Sequence, residues 1–196
     1  MIENVTNINY AMEHLADWIA SGEKRMSIIV YPETTVIYGF DADIDKDYCD
    51  AHGIPCHNVL RPNGAIVMCK GNVGIGFIYN HDEYPYWVVE KMFSDFKEYL
   101  IDKGINATME ANDILVDGYK AASCTGRNVE PDFRKCYEVG QIAIHQDMEA
   151  IESICKKPMK KVPKALSDYG ITTQEVLAWC EAWFARYSSD ESGVEI

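Results

Sequence analysis

The chain has 196 residues and a mass of 22.2 kDa, which is enough for one domain with a sizeable core. Hydrophobic residues make up 47% of it and charged residues 25%, which is typical of globular proteins and not of disordered, collagen-like or membrane proteins. The formal net charge of −13 argues against broad contact with nucleic acid, because nucleic-acid binders present a basic surface.

Seven cysteines occur without a CxxC pair or zinc-like spacing, which predicts reduced thiols and no zinc site. The N-terminus lacks the charged segment and long apolar run of a signal peptide. No stretch reaches the apolar length that is needed to span a bilayer. We therefore expect a cytoplasmic protein with no membrane contact.

The first part of the chain predicts one helix followed by a sheet. Apolar residues at 5, 8, 12, 15 and 19 recur at helical spacing, so residues 4–21 are expected to form an amphipathic helix. Runs rich in β-branched and aromatic residues, separated by turn residues, then predict strands. The predicted strands cover 26–31, 34–39, 56–60, 64–70 and 73–80, with a loop and a short helix over 41–53.

The second part of the chain predicts alternating helices and strands. Val88, Met92, Phe96 and Leu100 give helical spacing over 85–103, with Gly104 as the stop. A hairpin over 110–125, a strand over 137–145 and a helix opened by Asp147 follow. Thr172 to Glu175 supplies capping residues for a final helix. Its tryptophans either pack in the core, which is what we expect, or contact a partner.

The hairpin combines turn chemistry with reactive side chains. Asp117-Gly118 is a strong signal for a two-residue turn. If the second strand is unbroken, Lys120 and Cys124 lie on the same face. They are then either a cation and thiol of a site, or a solvated lysine and a small buried residue.

Five lysines form the only cationic cluster in the sequence. They are Lys156, Lys157, Lys160, Lys161 and Lys164. Such a cluster is usually a solvated surface, and the alternative is a docking patch for an acidic partner.

The order of several short segments carries more information than any one of them. These are Tyr-Pro-Glu-Thr-Thr-Val-Ile-Tyr-Gly at 31–39, Gly-Ile-Pro-Cys-His-Asn-Val-Leu-Arg at 53–61, Gly-Ala-Ile-Val-Met at 64–68, Gly-Asn at 71–72, Asn-Asp-Ile-Leu-Val-Asp-Gly-Tyr-Lys at 112–120, and Val-Gly-Gln-Ile-Ala-Ile at 139–144. Over residues 5–171 the chain resembles the lipoate protein ligase and octanoyltransferase family.

The resemblance implies an α/β (α+β) fold of the biotin/lipoate protein ligase type. Its sheet is mixed, largely antiparallel and flanked by helices. We expect a single catalytic domain over 1–187 that ends in a C-terminal helix, and a flexible acidic tail over 188–196.

The resemblance also implies a site built around Lys120, which takes the place of the lysine that binds the acyl carbonyl and acyl-phosphate oxygens. The implied substrate-binding residues are Arg61, Asn63, Gly64, Ala65, Gly71, Asn72, Asn112 and Asp113, and Cys124 is a second candidate catalytic residue. The family's loop has an arginine pair and three successive glycines, whereas this chain has Leu-Arg-Pro-Asn-Gly-Ala at 60–65.

Three functions follow from this reading. The first is a ligase or transferase that attaches a lipoyl or octanoyl group to a lysine of a lipoyl carrier domain, using ATP, magnesium and lipoate. The second uses an acyl thioester donor, such as an acylated acyl carrier protein, with Cys124 as an acylated nucleophile. The third is a noncatalytic binder of the same fold that engages an acyl group, a carrier or a host protein.

Overall fold

The computed structural model describes residues 2–5, 14, 17, 20–21, 25–58, 64–80, 88–129 and 135–189. Within these residues the chain forms ten strands. They are β1 (Ile2–Val5), β2 (Arg25–Val30), β3 (Thr35–Tyr38), β4 (Cys56–Asn58), β5 (Ala65–Met68), β6 (Val73–Asn80), β7 (Ala107–Glu110), β8 (Asp113–Val116), β9 (Tyr119–Val129) and β10 (Lys135–Ile142).

The strands build two sheets. Seven of them form a large sheet in the order β1-β2-β6-β10-β9-β8-β7, which is antiparallel except for the β1–β2 pair. The other three form a small sheet in the order β4-β3-β5, in which β3 pairs with β4 in parallel and with β5 in antiparallel. The predicted mixed, largely antiparallel sheet is confirmed.

Two helices, Val88–Asp102 and Thr173–Ser189, cover one face of the large sheet, whereas Lys46–Ala51 and Met148–Ile154 pack with Val36 of the small sheet in a separate core. The longer helical segments are Lys46–Ala51, Val88–Asp102, Met148–Ile154 and Thr173–Ser189, and a 3-10 helix spans Leu166–Tyr169. Phe93 and Phe96 of the second and Trp183 of the fourth are buried in the same apolar core as Phe77 of β6. The other face of the large sheet is therefore left for the small sheet and the site.

Gly140 shows how closely a helix approaches the sheet. A Cβ atom at this position of β10 would lie 2.5 Å from the Phe93 ring. Glycine at 140 therefore lets the helix Val88–Asp102 pack directly on the strand.

Most predicted elements are confirmed, with shifts of a few residues at their ends. The predicted first helix is wrong at its start, because Ile2–Val5 is a strand that pairs in parallel with Met26 to Ile29 of β2. Backbone pairing at an open sheet edge outweighs a side-chain period that suits a helix. His14, Asp17, Ala20 and Ser21 are helical as expected, and the other residues of that prediction lie outside the described residues.

The C-terminal helix begins as predicted and runs to Ser189. The first residues of the predicted tail therefore belong to the helix, and residues 190–196 lie outside the described part. Among the described residues, no helix has both the length and the apolar character required to cross a bilayer.

Candidate functional site

A cavity of about 650 Å³ lies between the outer face of the large sheet and the small sheet. This volume is within the range of small-molecule sites. Residues 156–164, here called the strap, close one side of it. The apolar part of the lining comprises Ala65, Ile66, Val67, Met68, Ala122, Ala143, Ile151 and Met159.

Polar side chains cross the floor of the cavity on neighbouring strands. In the sheet register, Asp113 of β8 stands opposite Ser123 of β9, and Ser123 stands opposite Gln141 of β10. All three residues line the cavity. The site therefore has a polar row on the sheet and an apolar wall opposite it.

A β-bulge decides which side chains of β9 face this cavity. Leu115 pairs with Lys120 and Ile114 with Ala122, so Ala121 is an extra residue in β9. The bulge breaks the alternation and puts Lys120 on the same side as Ser123. Cys124 then lies on the opposite face, in the apolar core and 5% exposed. The expectation that Lys120 and Cys124 share a face is wrong for this reason.

Lys120 forms an ion cluster with Asp113 and Lys161. The Nζ atom of Lys120 lies 3.0 Å from Asp113 Oδ1, and that of Lys161 lies 2.9 Å from Asp113 Oδ2. Burial alone would raise the pKa of Asp113, but the hydrogen bonds from the two lysines outweigh it and lower that pKa below its usual value. Asp113 is therefore an anion that separates two ammonium groups.

The strap holds the backbone of Lys120 as well. Lys120 N donates to Val162 O at 2.9 Å, and Lys164 N donates to Lys120 O at 2.9 Å. Because both backbone groups of Lys120 are bonded, its side chain starts from a fixed position. The strap thus acts as a short partner strand beside the bulge.

The lysine cluster of the sequence is the strap itself, and most of its charges have partners. Lys156 lies 3.5 Å from Asp45, Lys157 donates to Asp41 O at 2.9 Å and Lys164 lies 3.0 Å from Asp168. Lys157, Lys160 and Lys161 line the cavity. The cluster therefore contributes three side chains to the cavity, while Lys156, Lys157 and Lys160 are also exposed to solvent.

Asn72 is the most deeply buried polar residue of the cavity, at 1% exposure. Its Oδ1 atom accepts from Ile144 N at 2.9 Å and from His145 N at 2.7 Å. Asn72 therefore joins the start of β6 to the segment that follows β10.

The neighbouring Gly71 has a structural role that Asn72 does not share. Its φ is +85°, and a Cβ atom there would lie 2.7 Å from the His145 ring. Thr173 Oγ1 donates to Gly71 O at 2.9 Å, which fixes the start of the last helix. Gly71 is not part of the cavity lining.

The structure thus brings together five of the residues expected from the sequence: Gly64, Ala65, Asn72, Asp113 and Lys120. Gly71, Asn112 and Cys124 lie off the cavity; Asn112 is exposed and its carbonyl accepts from Cys124 N at 2.9 Å. Arg61 and Asn63 lie outside the described residues.

Sequence reasoning missed Ser123, Gln141, Gln146 and Lys161, which also line the cavity. Because Ala121 is an extra residue, the strict alternation of an unbroken β9 would put Ser123 on the face opposite to Lys120. The position of Gln141 follows from that of Ser123, its partner on β9. Lys161 is 48 positions away from Asp113 in sequence, and no local pattern connects them.

The arrangement suits recognition of an acid with an apolar chain. Ammonium groups in a partly desolvated site stabilise charge on a carbonyl or phosphate oxygen better than water does. Among the described residues, no group of three or more His, Cys, Asp or Glu side chains is placed to hold a metal ion.

Solved structures of lipoate and biotin protein ligases share this fold. LipL1 of P. falciparum in complex with lipoate matches all of the chain with a TM-score of 0.75 at 15% identity. A bi-partite lipoate protein ligase from Thermoplasma acidophilum, studied with its E2 lipoyl domain, matches 94% of the chain and 81% of its own with a TM-score of 0.70 at 15% identity.

A third match is lipoate-protein ligase A bound with ATP, over 94% of the chain and 83% of its own, with a TM-score of 0.73 at 14% identity. The chain spans 61% of the length of LipL1. No protein-family model and no curated protein matches the sequence. At these identities the matches establish the fold, which is that of biotin/lipoate protein ligases.

Proposed function

We propose that the protein attaches a short acyl group, such as lipoyl or octanoyl, to a lysine of a carrier domain. The observation that carries this proposal is the ammonium of Lys120, held by Asp113 at the polar edge of a largely apolar cavity. The cavity takes the acyl chain, and Lys120 stabilises the negative charge that develops on the acyl carbonyl oxygen.

The transfer step is an acyl substitution. A new amide bond forms between the acyl carbon and the carrier lysine, and the bond from that carbon to its leaving group breaks. The leaving group is a nucleotide phosphate if the acid is activated with ATP, or a thiolate if the donor is an acyl thioester. Lys120 and Lys161 are the cations placed to hold phosphate oxygens of an activated acid.

The fold neighbours support a carrier domain as the partner and lipoate and ATP as ligands. One neighbour was studied with its E2 lipoyl domain, one holds lipoate and one holds ATP. For this chain, a lipoyl carrier domain is the acceptor that we propose.

A version of this function in which Cys124 carries the acyl group has no support in the structure. The Cys124 side chain is 5% exposed and lies in the core, on the face of β9 away from Lys120. A donor in the cavity would have to cross the sheet to reach it.

A noncatalytic binder of the same fold is the second candidate. It is favoured by the loop over 60–65, which lacks the family's three successive glycines, and by the double ion pairing of Asp113, which neutralises much of the positive charge at the cavity. This protein would hold an acyl group or a carrier and release it unchanged.

The test is intact-mass measurement of a lipoyl carrier domain after incubation with the protein. One sample receives lipoate with ATP and magnesium, another octanoate with the same, and a third an octanoyl thioester of acyl carrier protein. A carrier that gains one acyl mass supports the proposal. A carrier of unchanged mass in all samples, with a protein that binds the acids, establishes the noncatalytic binder instead.

A further inference from the structure

Two cysteine thiols contact each other in the core beside the small sheet. Cys49 of the helix Lys46–Ala51 is completely buried in this core, and Cys56 of β4 packs against it. Both are free thiols, and Cys56 is only half-buried. Burial and then a hydrogen bond with the Cys56 side chain raise the pKa of the Cys49 thiol to about 12. Neither residue belongs to the lining of the cavity at Lys120, so the pair is a separate feature of the molecule.

The backbone between the two cysteines turns back and holds them together. Gly53 has a φ of +65°, and just after this turn Ile54 N donates to Cys49 O at 2.8 Å. The carbonyl of Ile54 in turn accepts from Cys56 Sγ at 3.7 Å. A disulfide tolerates little displacement of the backbones that it joins. Both backbones are already fixed here with the thiols in contact, which is the arrangement that a disulfide requires.

Exposure and charge give the two thiols different roles. Cys56 is the thiol that solvent reaches, and the Lys46 ammonium interacts with it electrostatically. Cys49 is 0% exposed, and the carboxylates of Asp45 and Asp50 add to the causes that raise its pKa. Oxidants react with accessible thiols beside cations, whereas buried thiols are inert toward them. Cys56 is therefore the sulfur that meets an oxidant from solution, and Cys49 is the buried partner next to it.

We propose that Cys49 and Cys56 form a redox modification site, which a hydroperoxide oxidises to a reversible disulfide. Cys56 attacks the peroxide, and Cys49 then displaces the oxygen from the oxidised Cys56. The site lies apart from Lys120 and its cavity, and it does not depend on the proposed function.

The reaction balances in two steps. In the first, the Cys56 sulfur attacks one oxygen of the hydroperoxide and the O–O bond breaks, which gives a sulfenic acid on Cys56. The other oxygen leaves with the thiol proton, as an alcohol or, from hydrogen peroxide, as water. In the second, the Cys49 sulfur attacks the Cys56 sulfur, the S–O bond breaks, and the hydroxyl leaves with the Cys49 proton as water. Two thiols are thus oxidised to one disulfide while the peroxide is reduced.

The test is intact-mass measurement of the full chain after treatment with a small molar excess of hydrogen peroxide. We expect the mass to fall by two hydrogen atoms, and two of the seven cysteines to become unavailable to an alkylating reagent after denaturation. Dithiothreitol should restore both readouts, and peptide mapping should place the bond between Cys49 and Cys56. A chain that keeps all its alkylatable thiols, that gains only oxygen atoms, or that joins other cysteines would overturn the proposal.

Three variants assign the roles of the two sulfurs. Cys49→Ala should stop at the sulfenic acid of Cys56, which dimedone traps as a covalent adduct, and Cys56→Ser should lose no thiols. Cys155→Ser is the matched control, because Cys155 is also half-buried and packs on the same core. This control should form the disulfide at the wild-type rate.

A disulfide that persists in Cys56→Ser, or one that is lost in Cys155→Ser, contradicts the assignment. Since Cys56 is half-buried, its variant remains informative if Cys49→Ala, at a completely buried position, fails to fold.

Discussion

At the scale of single residues, Asp113 organises the cationic end of the cavity. Its two oxygens each bind a different lysine, and its side chain is 18% exposed. Asp113→Asn should reduce the free energy of unfolding at neutral pH by about 1 kcal/mol, between the values for surface and buried ion pairs. Urea unfolding measures this, with Asp168→Asn, which removes the exposed partner of Lys164, as the control.

The difference in unfolding free energy between the wild-type protein and Asp113→Asn should decrease in acid. The pKa of Asp113 is lowered in the folded protein from a usual value of 3.8. Its contribution is therefore complete above that value and disappears as the pH falls through the lowered pKa. The wild-type protein and Asp113→Asn should approach equal stability in strong acid. A difference of the same size at pH about 2 and about 7 would contradict the ion cluster.

At the scale of elements, the last helix is fixed by its first turn. Glu175 accepts from Thr172 N at 2.9 Å, Glu175 N donates to Thr172 Oγ1 at 3.2 Å, and Lys103 donates to Glu175 at 2.9 Å. The reciprocal pair is the capping box that the sequence predicts. Lys103 joins this helix to the end of the helix Val88–Asp102.

This cap should make the protein sensitive to acid. The Lys103 hydrogen bond, followed by those from Thr172, lowers the pKa of Glu175 from 4.5 to about 2. The stabilisation is present above pH 4.5 and is lost as the pH falls toward about 2. Glu175→Gln should lower the melting temperature at pH 7 more than at acid pH. Glu181→Gln on the same helix is the control, and equal effects of the two would refute the cap.

The packing of the helix Val88–Asp102 on β10 predicts a steric effect. Gly140→Ala should cost about 1–3 kcal/mol, because its methyl group would overlap the Phe93 ring. Chemical denaturation of Gly140→Ala and of the double variant with Phe93→Leu measures the coupling. We expect the smaller ring-free side chain to recover part of the loss. If the stability losses of Gly140→Ala and Phe93→Leu simply add in the double variant, overlap with the Phe93 ring is not the cause of the loss in Gly140→Ala.

Local chemistry explains how much of the fold the sequence predicts. The hairpin turn at Asp117-Gly118 was predictable because its residues themselves favour positive φ, here 52° and 84°. The bulge at Ala121 was not, because it accompanies pairing of Lys120 with the distant strap. Strand β1 was missed because its partner lies twenty-odd residues further along the chain.

The residues of the candidate site also fall into those that a local motif predicts and those that only the folded chain brings together. The resemblance supplied Lys120 and Asp113, which are close in sequence and matched a contiguous motif. Lys161 and Gln146 come from segments that meet them only in the folded chain. The sequence therefore predicts the residues at the middle of the candidate site, whereas the residues of its walls meet them only in the folded chain.

At the scale of the whole molecule, charge should control association with a carrier. The net charge is −13, and most strap lysines already have acceptors within the chain. An acidic carrier domain would be repelled at long range, and salt screens that repulsion. The association rate should therefore rise between about 20 and 200 mM salt. A rate that falls with salt would show that the strap docks the carrier by attraction.

The central claim, that Lys120 and its cavity form an acyl-transfer site, is tested most directly by the rate of carrier acylation in Lys120→Ala. Lys164→Ala is the matched control, since Lys164 is the last residue of the strap and its side chain pairs with Asp168 on the surface. Circular dichroism confirms the fold of both variants. We expect transfer to be lost in Lys120→Ala and retained in Lys164→Ala. Transfer at the wild-type rate by a folded Lys120→Ala protein would contradict the claim.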